Sequence, residues 1–314
     1  MVDMDVRLRR ALAPRVVGSR RLPSPLLLIL AAIGAALLLV IVTTSWTVGT
    51  DEQAYWRAAS RFAAGGQMYD PTALPGDNSF GYWYPPPLAQ ALIPLTTFLS
   101  PEAFTLAWTV LLLGCLWWLA GRDPIVALAL IAFLPVAVEL RVRNVHLLLA
   151  VLTVLALRRS ALFWVPAAAI KVAPVLGVVY LVAARRWRDA LVTSVVGVVV
   201  LGLSVLLAPS AWQDFFSVVL PQAGTSGASI LPVPFPIRFA GGMGLALAGG
   251  ILAFRGRNLT GEMLLVCGLV LANPTLWVTA LSMLIAIVPL RRSAGGHFPE
   301  SASTVPQLRE VTAT

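Results

Sequence analysis

An all-α bundle crossing a lipid bilayer many times is the fold class this sequence predicts, on three observations. Of its 314 residues, 58% are hydrophobic and only 12% charged, about half the charge of a water-soluble domain. The mean hydropathy is +0.84, too apolar to coat a globule, so lipid must serve as solvent. The apolar residues also come in runs separated by short arginine clusters, which is how membrane topology is written. The pI of about 10.7 therefore reflects topology and not nucleic-acid binding. Cys115 and Cys267 both lie in apolar runs and read as small buried hydrophobes, with no disulfide or metal implied.

Residues 1–23 carry Arg7, Arg9, Arg10, Arg15, Arg20 and Arg21, a basic segment expected in the cytoplasm. No cleavable signal peptide is predicted, because the first apolar run follows this segment without a small-residue cleavage pattern. Pro25 opens a run to Val42 or a little beyond, long enough for about 30 Å of hydrocarbon. Further spans read near 86–99, 102–120, 124–140, 144–157, 161–184, 189–208, 238–254, 259–272 and 276–290. Residues 24–290 thus form one membrane domain of about ten helices. With both termini inside, sixteen arginines fall on the cytoplasmic side; Arg57, Arg61, Arg122, Arg158, Arg159 and Arg238 fall outside. Runs of 14 to 17 residues within 124–184 also read as re-entrant halves. The cytoplasmic tail, 291–314, is rich in small and polar residues and is expected to be disordered.

Two outer loops break the apolar pattern. The first, 46–84, holds Asp51, Glu52, Asp70 and Asp77, four of the five tyrosines and three tryptophans. Thr50 and Gln53 have capping-box spacing for a helix starting at Asp51. Tyr55, Ala58, Ala59 and Phe62 then share one face, with Gln53, Arg57, Ser60 and Arg61 opposite, and Gly65-Gly66 ends it. The result is an amphipathic helix of about fourteen residues, expected to lie on the membrane surface. The second loop, 209–237, has prolines that forbid a regular helix across its second half; it reads as an irregular flap over the bundle mouth. Asp51 emerges at the outer interface, where an acid also complements a helix dipole.

These residues carry a resemblance. Asp51 is followed by Tyr55, then Ala58-Ala59, then Gly65-Gly66-x-x-Tyr69, then Tyr82 and Tyr84-Pro85-Pro86. Downstream stand Asn144-x-His146-Leu147-Leu148-Leu149, Lys171-Val172-x-Pro174, the cluster Arg185–Arg188 and Asn273-Pro274-x-Leu276-Trp277. In that order, from about residue 25 to 290, the chain resembles glycosyltransferase family 87. These polytopic GT-C-fold enzymes include polyprenyl-phosphate-mannose-dependent α-mannosyltransferases of actinobacteria.

The resemblance implies a hexosyltransferase of the bacterial plasma membrane, working at the extracytoplasmic face. It would move a hexose, mannose by family analogy, from a polyprenyl-phosphate donor to a lipid-linked or cell-envelope glycan acceptor. It implies no metal or other cofactor. Asp51 takes the family's general-base position, which suits the chemistry: a sugar hydroxyl is a poor nucleophile until a carboxylate accepts its proton. Glu52, about 100° around the helix, is the neighbour able to share that role or contact substrate. Tyr55, Tyr69 and Tyr84 would contact the substrate. Lys171 would meet the phosphate, or else snorkel or pair with Glu139. Arg238 would grip phosphate or sit at an interface, and Trp277 would stack on a sugar or anchor the bundle.

The chain also departs from the family. Where members often carry Gly-Gln-x-Asn it has Arg143-Asn144-Val145-His146, on the cytoplasmic side of the ten-span topology. Either that stretch is re-entrant or its polar residues are structural. No histidine stands near Trp277, and His297 lies in the tail. The glycine-rich run 241–250 reads as close helix packing. The rival classes are a transporter or flippase of lipid-linked sugars, which needs an alternating-access cavity, and a non-catalytic assembly partner.

Overall fold

Pro25 and Ser24 start the first helix. Ser24 Oγ accepts the Leu27 N–H at 3.2 Å, and proline at a first helical position lacks only an N–H that would be orphaned anyway. The resulting α1, Pro25–Thr44, is apolar throughout. In this computed structural model, residues 15–17, 20–44, 51–69, 81–221 and 229–294 are described. A two-stranded antiparallel hairpin, β1 (Arg15–Val17) with β2 (Arg20–Leu22), precedes α1. Among the described residues every other regular element is helical.

The outer-loop helix forms as α2, Asp51–Ala63. It ends in a Schellman arrangement: Gly65 takes φ 78°, and the Gly66 N–H reaches Arg61 O at 2.9 Å. Thr50, the expected cap, lies outside the described residues. One expectation is corrected here. The apolar face of α2 does not rest on a membrane surface, because Tyr55, Ala58 and Ala59 are fully buried. They pack on α3 (Pro86–Phe98) and α4 (Pro101–Leu119).

Beyond α4 run α5 (Pro124–Ile131) and α6 (Leu134–Val142). Among the described residues, four helices are long and apolar enough to cross a membrane: α1, α4, α10 (Trp187–Leu207) and α12 (Phe235–Phe254). A fifth exists if α5 and α6 count as one span, but they meet at 88°. Pro135 supplies the reason: it can neither continue the hydrogen-bond ladder nor avoid the preceding turn. The short helices α7 (His146–Arg158), α8 (Trp164–Ile170), α9 (Leu176–Ala183) and α13 (Asn258–Leu271) complete much of the bundle. The ten apolar runs are therefore not ten full-length helices.

Close backbone approach holds the outer helices. A Cβ at Gly34 of α1 would stand 1.7 Å from Leu128 O of α5. One at Gly261 of α13 would lie 2.2 Å from Gly249 O of α12, so only glycine permits these crossings.

Side-chain contacts sort the helix ends into two groups. Arg292 Nη1 donates to Ala120 O at 2.5 Å. Arg158 reaches Ser293 Oγ at 2.7 Å and pairs with Glu262. The Arg185 guanidinium lies 4.5 Å from the Phe254 ring centre. Arg122, Arg158 and Arg159 thus share one end with Arg185 and Arg255, whereas the ten-span reading put them on opposite sides. Thr105 and Trp108 near the start of α4 contact Glu52 and Arg143, so residues 86–99 return to the Asp51 end without crossing. The bent α5–α6 path then carries the chain from Arg122 to Arg143, beside Asp51.

The second outer loop begins as helix α11 (Pro209–Asp214) and a wider π turn, Phe215–Val219. Its Phe215 ring stacks 6.5 Å from Tyr69. The last helix, α14 (Ile287–Ala294), contains Arg291 and Arg292. The start of the tail is thus helical, not disordered as expected, and 295–314 lies outside the described residues.

Candidate active site

The bend at Pro135 delivers the four residues 143–146 to the N-terminal end of α2. Arg143 caps α6 in the left-handed conformation, φ 57° and ψ 47°, a conformation that non-glycine residues adopt at a cost. From this turn Asn144 Nδ2 donates to Asp51 Oδ2. Asn144 Oδ1 accepts from Tyr84 Oη at 2.9 Å and from the Val145 N–H at 2.7 Å. Tyr55 Oη donates to Tyr84 Oη at 2.9 Å, and Tyr69 Oη donates to Tyr84 O at 2.8 Å. A chain of hydrogen bonds thus runs Tyr55, Tyr84, Asn144, Asp51, with Tyr69 fixing the backbone of its second member.

A second chain leaves the same turn. Glu139 Oε1 accepts the backbone N–H groups of His146 at 2.5 Å and Leu147 at 3.2 Å. Its Oε2 lies 3.0 Å from His146 Nδ1, and His146 Nε2 lies 2.8 Å from Lys171 Nζ. The lysine sits 5.1 Å from the Tyr84 ring centre, within cation–π range. The direct Glu139–Lys171 pair that the sequence admits is replaced by a relay through His146.

Asp51 and Glu52 are neighbours with different surroundings. Asp51 is part-exposed; burial pushes its carboxyl up to about 6, against the Lys171 ammonium and the Asn144 hydrogen bond, which pull it down. Glu52 is fully buried. Its Oε1 meets Arg143 Nη1 at 3.3 Å and accepts from Thr105 Oγ1 at 3.2 Å. Burial raises its carboxyl too, with the Arg143 guanidinium opposing. Arg143 also donates to Thr109 Oγ1 at 2.9 Å, and its carbonyl accepts the Trp108 indole N–H at 2.9 Å. This arrangement gives Glu52 a structural partner where the sequence offered it a substrate.

The structure therefore gathers Asp51, Tyr55, Tyr69, Tyr84 and Lys171 and leaves two candidates apart. Arg238 is 2% exposed. It donates to Val233 O at 2.9 Å, Asn273 O at 2.6 Å and Pro274 O at 2.7 Å, so its fork ties α12 to the end of α13 and does not present a free face to phosphate. Trp277 is 44% exposed at the start of a 3-10 helix, Val278–Ala286. Glu139, Asn144 and His146 were not among the site candidates. The available signal was five polar residues (Glu139, Arg141, Arg143, Asn144 and His146) within eight positions, just after Pro135 and between apolar runs. Among the described residues no three His, Cys, Asp or Glu side chains converge as a metal site.

Fold and cluster together define a helical membrane protein with a carboxylate and an ammonium supported by one buried turn. The chain belongs to glycosyltransferase family 87, whose sequence model matches residues 82–303. That segment contains Tyr84, Glu139, Asn144, His146 and Lys171, and it begins after Asp51. No curated protein and no solved structure matches the chain.

Proposed function

We propose that this glycosyltransferase has a GT-C-type fold and transfers a hexose, mannose by the resemblance above, from a polyprenyl-phosphate donor. The acceptor is a lipid-linked or cell-envelope glycan, and the site faces away from the cytoplasm. The observation that carries the reading is Asp51: a part-exposed carboxylate whose Oδ2 is held by a buried amide and whose ordinary acidity is weakened by burial. A base raised toward neutrality can take a proton and still be ionised in use.

In this mechanism the acceptor hydroxyl gives its proton to Asp51 as its oxygen bonds to the anomeric carbon. The bond from that carbon to the phosphate oxygen breaks, and its electron pair leaves with the polyprenyl phosphate. The leaving group is already ionised, so no acid is required. The orientation follows from the arginines: the end bearing Arg122, Arg158, Arg185 and Arg255 is assigned to the cytoplasm, which puts Asp51 toward the opposite face. Metal-free transfer is part of the same proposal.

The test uses the purified full-length chain in lipid nanodiscs with labelled polyprenyl-phosphate-mannose and an acceptor glycolipid. Asp51→Asn is expected to lose about 10²–10⁴-fold in transfer without a change in melting temperature. In the native protein the rate should fall about tenfold per pH unit below about 6, because the base is protonated there. Transfer should persist in EDTA. Movement of intact donor lipid across the bilayer without transfer would favour the flippase reading instead. An unaffected Asp51→Asn variant removes Asp51 from the chemistry.

A further inference from the structure

Glu139, His146 and Lys171 have no part in the proton transfer above, yet they form a connected polar group in the bundle interior. Glu139 is 0% exposed and His146 1%, whereas Lys171, like Asp51, is part-exposed. The accessible members of the cluster are thus one base and one cation, and the buried members are their supports. Asn144 and His146, two residues apart on one turn, supply the two supports.

The direction of the hydrogen bonds follows from chemistry. Glu139 Oε1 is filled by two backbone N–H groups at the start of α7. A carboxylate can only accept, so its Oε2 takes the proton of His146 Nδ1 and the lone pair of Nε2 faces Lys171. The ammonium gives one N–H to the imidazole and retains two. Among the described residues no carboxylate lies within 4.0 Å of Nζ. An ammonium placed inside an apolar bundle is expensive unless something compensates it. Asp51 and Glu139 act on this ammonium only from beyond 4.0 Å, so with one N–H held by the imidazole its other two can meet a ligand anion directly.

We propose that Glu139 and His146 are positioning residues that hold the Lys171 ammonium for the phosphate of a polyprenyl-phosphate ligand. This rests on the glycosyl-phosphate reading and deepens it. As the bond to the sugar breaks, negative charge grows on the departing phosphate, and a cation fixed beforehand stabilises that change without reorganising.

Binding tests this without any transfer. Affinities for polyprenyl phosphate and for the uncharged polyprenol of the same length are measured in nanodiscs, and their ratio is the readout. Glu139→Gln is nearly isosteric and keeps the backbone hydrogen bonds through its amide oxygen. Its NH₂ then faces Nδ1, which forces the proton to Nε2 and opposes the ammonium. The phosphate-over-alcohol ratio is expected to fall about tenfold or more in Glu139→Gln and in Lys171→Met. Polyprenol affinity should be unchanged in both, and Lys171→Arg should recover most of the ratio.

A wild-type ratio in both variants overturns the inference and leaves the Asp51 assay standing. Loss in Lys171→Met alone overturns the positioning role. Equal loss of both ligands, which general damage would cause, overturns it as well. If the native protein binds alcohol and phosphate alike, the phosphate donor of the parent reading falls too.

Discussion

At the arginine-bearing end, Arg158 donates to both oxygens of Glu262 and on to Ser293 Oγ and Leu290 O, which ties α7, α13 and α14 together. At the other end Asp51 and Lys171 each rest on one buried amide or imidazole and remain open to a ligand. Both clusters place charge in oil, but the first is closed on itself and the second is not. Closure satisfies charge for the sake of the fold; incompleteness leaves binding energy for something that arrives later. Glu52, one residue from the open carboxylate, lies between the two kinds: its Oε1 is taken by Arg143 and Thr105, while its buried Oε2 has no hydrogen-bond partner.

The sharpest way to break this contrast is a crossed experiment. Asp51→Asn should cost orders of magnitude in transfer and almost nothing in thermal stability, whereas Arg158→Met should do the reverse. Removing Arg158 strands Glu262, which is 5% exposed, at a cost of about 2–3 kcal/mol, seen as a lower melting temperature with normal rate per folded molecule. Next in size is Glu52→Gln, which takes the carboxylate charge away from the Arg143 guanidinium. It should lose about 1–3 kcal/mol of stability with the rate nearly unchanged; a large loss of rate would return Glu52 to the chemistry. The smallest effect is expected at Tyr55→Phe, which removes the donor three hydrogen bonds away from Asp51. About 1 kcal/mol of stability and less than about tenfold in rate should be lost, measured by the same melt and transfer assays.

The helix carrying Asp51 was legible because its signals are local: the 3.6-residue spacing of Tyr55, Ala58 and Ala59, and the Gly65-Gly66 stop. The apolar runs announced a membrane protein for the same reason. The path from residue 86 to 184 was not legible. An apolar run of 14 residues has the same composition whether it crosses the bilayer or reaches only part of the way. What decides is where its ends make contact, and those contacts are remote. Asn144 meets Asp51 across 93 positions, and Arg158 meets Glu262 across 104. Pro135 is a local sign that α5 and α6 would part; 124–140 reads as a span or a re-entrant half, and the structure bends it by 88°. Arg238 misled differently: a lone cation near an interface reads as a ligand grip until the three carbonyls around it are seen.

Asp51 and Glu52, adjacent on α2, fasten to Asn144 and Arg143, adjacent on the turn after α6. This double latch fixes the outer helix lengthwise and in rotation at once, since sliding or rolling by one residue would undo both fastenings. Asp51 is therefore placed by the bundle, through the turn that carries Asn144.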